Sequence, residues 1–377
     1  MDTADVLIVG AGMAGASLAW HLAQDDVDVV VLERESQAGY HSTGRSAAMF
    51  MESYGPPGVR ALTRAGRAFY LAPPAGFAPM PLLHERQALY VATAGQRQML
   101  DARGQELAAS GTVLDELDAA ALARRVPVLR TDVVRHGLLD RNAYDIDVDA
   151  LLQGYLRGAR QAGARILMNT ELLAARAAGA GGWTVTLAGD RNIHARRVVD
   201  AAGAWADAVA EVFGVQRIGM QPKRRSAFIF PPPDGMECAG WPMVSDIGER
   251  WYFKPDAGQL LGSPANVDPV PPQDVQPEDL DIALAIDHIQ NATTMQIRRP
   301  TATWAGLRNF VADGDIVIGR DPDHADFFWL AAQGGYGIQS APGASLLASC
   351  LLQGKALPPE LSRFGVDPAA VSPARLR

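Results

Sequence analysis

A chain of 377 residues, 48% hydrophobic and 20% charged, has material for two cores and reads as a soluble globular enzyme. Its net charge of -8, with no basic run longer than Lys223-Arg224-Arg225, argues against a nucleic-acid partner. Two cysteines, Cys238 and Cys350, form neither a disulfide framework nor a metal-ligand spacing with a histidine, so reduced thiols and no metal are expected. No apolar run is long enough for a transmembrane segment, and residues 1–5 lead straight into a strand without room for a signal peptide. The expected location is cytoplasmic, with association at the inner face of the membrane left open.

The first stretch carries the strongest signal. Val6, Leu7, Ile8 and Val9 form an apolar run that predicts a buried strand, and Gly10-Ala11-Gly12-Met13-Ala14-Gly15 turns from it into a helix. A second apolar run, Val29 to Leu32, ends at Glu33. Strand, glycine turn, helix, strand and acid in this order predict a dinucleotide site. Gly10 permits the tight turn, Gly12 lets the backbone approach a pyrophosphate, and Gly15 lets the helix pack on the strand. The helix N-terminus offers N–H groups to the phosphates, and Glu33 can accept from a ribose hydroxyl. The hydroxyl-rich stretch from Arg34 to Ala48 is placed to run beside the cofactor.

Further along, helices are expected over 59–70, 99–109 and 118–125, with a short strand over 88–92. Asp145 to Asp149 start a helix whose apolar residues Leu151, Leu152, Tyr155, Leu156 and Ala159 recur at helical spacing until Gly163. A strand at 165–169 and a hairpin around Gly179 to Gly182 follow. Arg197 to Trp205 then runs again from strand through glycine turn into helix, which returns the chain to the nucleotide sheet. Between Met220 and Pro300 aromatic segments alternate with proline-rich loops, predicting an antiparallel sheet with one helix between Pro277 and Ala292. Strands at 315–319 and 327–331 lead to the Gln333 to Gln339 turn and a final helix whose dipole points at the cofactor.

Val6 to Glu33, the His41-Ser42-Thr43-Gly44-Arg45-Ser46 loop, Lys223-Arg224-Arg225-Ser226, Trp304-Ala305-Gly306-Leu307-Arg308 and the Gln333 to Gln339 turn together mark a family likeness. Over nearly its whole length the chain resembles the D-amino acid oxidase superfamily of FAD-dependent oxidoreductases, and within it the bacterial D-arginine dehydrogenases. The resemblance implies an α/β fold, with a Rossmann-type FAD-binding domain over 1–82, 145–218 and 301–377. An inserted α+β substrate domain, built on an antiparallel sheet, would take 83–144 and 219–300. FAD would be held noncovalently by Gly10, Gly12, Met13, Ala14, Gly15, Glu33, Arg34, Ser42, Thr43, Gly44, Arg45, Ser46, Ala47 and Ala48. Leu172, Ala202, Gly203, Trp205, Arg308, Gly335, Tyr336, Gly337, Ile338 and Gln339 would complete its site.

For the substrate, the resemblance implies that Arg225 and Arg308 hold a carboxylate, that Tyr252 hydrogen-bonds it, and that Tyr54 closes the pocket from a mobile loop. Gly306 and Gln339 would lie beside the substrate amine and the flavin. A planar guanidinium fork suits a carboxylate on independent physical grounds. Three positions depart from the likeness: Ala88 stands where the D-arginine dehydrogenases place a glutamate that reads the distal guanidinium, and Met49 and Met51 replace a histidine and a threonine. With Met243 these make an apolar pocket that gives a cationic side chain no partner. The expected activity is therefore FAD-dependent oxidative deamination of D-amino acids with apolar side chains to 2-oxo acids and ammonia. The electron acceptor is a quinone, a dye or oxygen. A glycine or sarcosine type of amine oxidase on the same fold is the alternative. An NAD-dependent dehydrogenase would leave the Gln333 to Gln339 turn unexplained.

Overall fold

The computed structural model describes residues 2–109, 111–179 and 181–377, and folds into two large sheets and a small one. In the first sheet the strand Asp2–Val9 lies parallel between Val29–Leu32 and Arg191–Asp200, with Arg165–Leu167 beyond Val29–Leu32. Such strands are covered on both faces, which is why Val6 to Val9 and Val29 to Leu32 are unbroken apolar runs rather than alternating ones. Val6, Ile8, Val29 and Val31 face the helices Met13–Gln24 and Ala341–Gln353, while Leu7, Val9, Val30 and Leu32 face the opposite core with Trp329 and Phe213. On the edge away from Asp2–Val9, Arg191–Asp200 serves two partners in turn. Its first half pairs antiparallel with Trp183–Leu187, and Val198 to Asp200 pair parallel with Phe327 to Trp329. The hairpin expected around Gly179 to Gly182 is present as Leu172–Ala177 and Trp183–Leu187, with residue 180 of its turn outside the described residues.

The second sheet is built from Gln221–Phe230, Met243–Asp246, Tyr252–Asp256, Gln259–Ser263 and Asp268–Pro269, extended by Ala88–Thr93, Val134–Asp140 and Asp115–Asp118. It is mixed rather than wholly antiparallel, because Met243–Asp246 runs parallel to Ala88–Thr93. The strand Ala302–Phe310, assigned from sequence to the FAD-binding domain, pairs along Gln221–Phe230 and belongs to this sheet. The chain therefore changes sheet after Phe310 rather than at 301, because every residue from Ala302 to Phe310 finds its ladder partner there. Successive side chains of a strand point to opposite faces. Phe228, Phe230 and Phe253 bury one face under the helix Asp279–Ala292, and the other face, carrying Arg225 and Ala227, stays open to a cavity. Among the described residues no helix is long and apolar enough to cross a membrane.

Asp200 ends its strand fully buried; its Oδ1 accepts from the Ala202 N–H at 3.1 Å and its Oδ2 has no partner among the described residues. Burial pushes its carboxyl well above the usual range, with Asp207 adding to the shift. In the unfolded chain the same group ionises near 3.8, so the fold holds its proton to higher pH than the unfolded chain does, and stability falls as pH rises above 3.8 through the folded pKa. Asp200→Asn keeps the acceptor to Ala202 and removes that penalty. Its melting temperature is expected to exceed the wild type by a few degrees at pH 8 and to converge with it near pH 4, in a pH series of thermal melts. A gap independent of pH would mean that Asp200 is ionised in the fold.

Candidate active site

A cavity of about 490 Å³ lies where the carboxyl ends of the first sheet's strands meet the open face of the second. Val9, Leu32, Ala201 and Ala331 mark those strand ends along its wall. Gly10 holds φ +103, and a β-carbon there would sit 2.6 Å from the Ala201 carbonyl oxygen. A β-carbon on Gly15 would enter the Gly10 carbonyl, so helix and strand touch only because both are glycine. Gly12 differs: a β-carbon there would meet only Thr43 Oγ1, at 3.4 Å, and would otherwise fill open space at the start of the helix Met13–Gln24. This is a cradle that needs a close approach to the helix N-terminus, as a pyrophosphate does.

The acid at the end of the second strand is fixed beside that turn. Glu33 Oε2 accepts from the Ala11 N–H and Oε1 from the Glu35 N–H, each at 3.0 Å. A carboxylate has about four lone-pair positions, which leaves capacity for a ribose hydroxyl. Farther out, the Arg34 guanidinium lies 4.0 Å over the Trp205 ring, and His41 Nε2 is 2.9 Å from Glu35 Oε1.

At the other end, the register of the second sheet assembles a cationic clamp. Arg225 pairs with Gly306 and Lys223 with Arg308, so Arg225, Gly306 and Arg308 share the cavity face. Glycine at 306 leaves room between the two arginines, where the neighbouring atoms belong to Arg45. Arg225 Nε donates to the Asn266 carbonyl at 2.8 Å, while its buried Nη2 has no partner among the described residues. Burial and the charge of Arg308 lower its pKa. Arg308 Nη2 donates to Tyr54 Oη at 3.0 Å, and its guanidinium lies 5.1 Å from the Phe310 ring and 5.9 Å from that of Tyr336. Neither arginine forms an ion pair with a carboxylate among the described residues. Tyr252, Met49, Met51, Met243, Ala227 and Ala265 complete this end.

A family model described as FAD dependent oxidoreductase, DAO, matches residues 5–350. The chain belongs to this DAO family. It is 26% identical over 383 residues to the sarcosine oxidase subunit beta of Rhizobium meliloti, covering 96% of this chain and 88% of that protein. It is 24% identical over 397 residues to the human mitochondrial dimethylglycine dehydrogenase, covering 97% of this chain; the chain spans only 44% of that protein's length. The crystal structure of glycine oxidase from Geobacillus kaustophilus superposes with a TM-score of 0.83 at 20% identity, covering 97% of this chain and 99% of the other. That last likeness speaks to the fold: an FAD-binding Rossmann-like unit joined to a substrate unit on a mixed sheet.

The cofactor of this DAO-family chain is FAD, and the cradle fits it. Of the residues expected around it, Gly10, Gly12, Met13, Ala14, Glu33, Arg34, Ser42, Thr43, Arg45 to Ala48, Leu172, Ala202, Gly203, Trp205, Arg308, Gly335 and Gly337 to Gln339 line the cavity. Gly15, Gly44 and Tyr336 do not. Gly15 and Gly44 act by letting backbone pass close to Gly10 and Gly39, and Tyr336 packs edge-on against Tyr54 at 5.0 Å. Several lining groups are committed to the protein. Arg45 donates to the Val275 and Ala305 carbonyls and to Asp274, and Ser42 Oγ donates to the Leu307 carbonyl at 2.7 Å. Gly335 leaves the space that the Arg308 side chain crosses. Cys238 and Cys350 are both buried, and neither lines the cavity.

Of the substrate-side residues, Tyr54, Tyr252, Arg225, Arg308, Gly306, Met49, Met51 and Met243 come together. Ala88 does not reach the cavity: it is 1% exposed, sharing a strand face with Tyr90 but packed in one cluster with Met51 and Met243. The turn carrying Tyr54, expected to be a mobile loop, is tied from several sides. Gln339 accepts from the Met51 N–H and donates to the Tyr54 carbonyl and Thr63 Oγ1. Arg103 donates to the Ser53 carbonyl, and Ser53 Oγ donates to buried Asp140 at 2.6 Å. Both amide protons of Gln339 are thus given to the protein, which positions Tyr54, while its oxygen, accepting once, keeps a lone pair.

Tyr90, Ser245, Glu249 and Asn309 also line the cavity and went unnoticed in the sequence. Tyr90 and Ser245 had a usable signal, since alternation along their strands puts them on the face of Met243; Glu249 had none. Burial raises Tyr90 and Tyr336 each to about 12, so both remain protonated phenols at neutral pH and neither acts as a base.

Proposed function

We propose that this FAD-dependent oxidoreductase oxidises a small amino acid held by its carboxylate, with N-methylated glycines as the first substrate class. The observation that carries this reading is the pair Arg225 and Arg308, both lining the cavity and neither ion-paired to a carboxylate among the described residues. Bound FAD, held noncovalently, supplies a two-electron acceptor for the hydrogen on the carbon next to the nitrogen, and oxygen, a quinone or a dye then takes the electrons.

The chain's own residues bind and orient. The free Arg225 Nη2 and the fork of Arg308 meet the carboxylate oxygens, and the Tyr54 hydroxyl, accepting from Arg308, has its own proton left to donate. Tyr252, across the register from Ser245, borders the same spot. Fixing the acid end sets which face of the substrate's α-carbon and nitrogen meets the flavin, and this orientation is where such a site gains most of its rate. Tyr90 and Tyr336 stay protonated and take no proton from the substrate, whose amine arrives neutral or loses its proton elsewhere, to water among others. Sarcosine and dimethylglycine carry apolar N-methyl groups that suit the methionine wall, and the likeness to sarcosine oxidase subunit beta and dimethylglycine dehydrogenase favours them.

D-amino acids with apolar side chains, oxidised to 2-oxo acids and ammonia, are the second reading. It is favoured by Met49, Met51 and Met243, whose flexible side chains would accept a leucine- or methionine-sized group. The apolar, covered Ala88 supplies nothing to read a guanidinium, and the named relatives lend no support to D-arginine as substrate. Anaerobic mixing of the flavoprotein with sarcosine, dimethylglycine, glycine, D-leucine, D-methionine and D-arginine tests both. Bleaching fastest with the N-methylated glycines is expected; a preference for D-leucine would promote the second reading, and no bleaching by any of them would remove amine oxidation.

A further inference from the structure

Among the described residues, the two guanidinium groups of the clamp share their end of the cavity with the carboxylate of Glu249. It stands in the turn between Met243–Asp246 and Tyr252–Asp256, with φ +53, a left-handed conformation unusual for a residue bearing a β-carbon. Its side chain is exposed and makes no hydrogen bond or ion pair among the described residues. The other acid of the turn, Asp246, is spent on Arg250 and Gln96. Glu33 lines the nucleotide end and is occupied by backbone N–H groups. Lys223, opposite Arg308 in the register, lies 5.0 Å from the Phe310 ring and does not line the cavity. The clamp therefore holds two positive charges and one negative, a formal +1. Arg225 feels the negative charge, since the field of Glu249 opposes the lowering of its pKa by burial and Arg308.

We propose that Glu249 sets the charge of the clamp so that the site takes amino acids with one carboxylate and turns away those with two. This rests on the carboxylate-binding reading above. A single carboxylate neutralises a +1 clamp, whereas a dicarboxylate leaves it overcharged with a second anion facing an unpaired glutamate. Coulomb energy scales with the ligand's charge, so Glu249 opposes a dianion about twice as strongly, in free energy, as a monoanion. N-methylglycine and iminodiacetate differ in this respect.

Acetate and malonate, which carry no amine and cannot turn over, are titrated into the holoenzyme, and binding is read from the shift in flavin absorption. In Glu249→Gln the dissociation constant for acetate is expected to fall about threefold and that for malonate about tenfold, roughly the square of the first effect. Glu249→Asp, which keeps the charge, is expected to retain the wild-type ratio of the two acids. Equal changes for both acids, or none, would overturn the role of Glu249 while leaving the carboxylate clamp in place. Failure of both acids to bind wild-type holoenzyme would overturn the clamp itself, and this proposal with it.

Discussion

Arg308→Met is expected to lower kcat/KM for the amine substrate by at least about a hundredfold while leaving the folded protein as stable as before, or more so. Truncating one member of a buried, hydrogen-bonded charge contact costs about 2–5 kcal/mol, and a hundredfold corresponds to about 2.7 kcal/mol. The loss should fall mostly on KM, because the carboxylate is held alike before and during the reaction. Stability has the opposite sign. Without substrate, Arg308 is one of two neighbouring cations with no ion-paired carboxylate among the described residues, and its charge adds to burial in lowering the pKa of Arg225. Methionine gives up the guanidinium's contacts with the Phe310 and Tyr336 rings and its hydrogen bond to Tyr54, and in exchange removes the repulsion and the cost of keeping an unpaired charge half-buried. Steady-state kinetics and a thermal melt on the same preparation check both halves. Near-normal saturation by substrate would take Arg308 out of the site, and a falling melting temperature would show its charge to be structural.

Substitutions at the first glycine turn should separate folding from cofactor retention. Gly10→Ala places a β-carbon 2.6 Å from the Ala201 backbone and demands a positive φ, so it is expected to yield little folded protein. Gly12 has an ordinary φ of -72, and its nearest neighbour to a new β-carbon is Thr43 Oγ1. Gly12→Ala should therefore fold with an unchanged apoprotein melting temperature, yet bind FAD at least about tenfold more weakly, because the methyl group occupies the approach to the helix N-terminus. The ratio of flavin to protein absorbance after gel filtration, together with titration of apoprotein with FAD, measures this. Full flavin occupancy in Gly12→Ala would mean that the phosphates bind elsewhere along the cavity.

The parts of the site legible in the sequence are those where local chemistry and function coincide. Gly10, Gly12 and Gly15 are dictated by the turn itself, and Glu33 by the end of a four-residue strand, so their spacing announces them. The helices beginning at Pro57 and Val148 were readable for a similar reason, as an apolar stripe at 3.6-residue spacing implies a buried face whatever it packs on. Arg225 and Arg308 needed a family likeness to be picked out, since nothing local distinguishes them from Arg224. Arg224 lies on the opposite face and is bound by Asp268, Glu278 and Asp281.

Sequence alone settled the nucleotide unit: a β-strand buried on both faces, a glycine turn and a helix form a signal contained within about thirty residues, and backbone sterics admit few other solutions. Tertiary structure alone settled who meets whom on the second sheet. Alternation says that Arg225 and Ala227 share a face, but only the pairing of Gln221–Phe230 with Ala302–Phe310 sets Arg308 beside them and moves that strand out of the unit to which it was assigned. The same pairing logic hides Ala88 behind methionines and brings Glu249, a polar turn residue like many others, to the edge of the clamp. Long-range register depends on how whole faces bury against one another, and that information is spread over residues far apart in the chain.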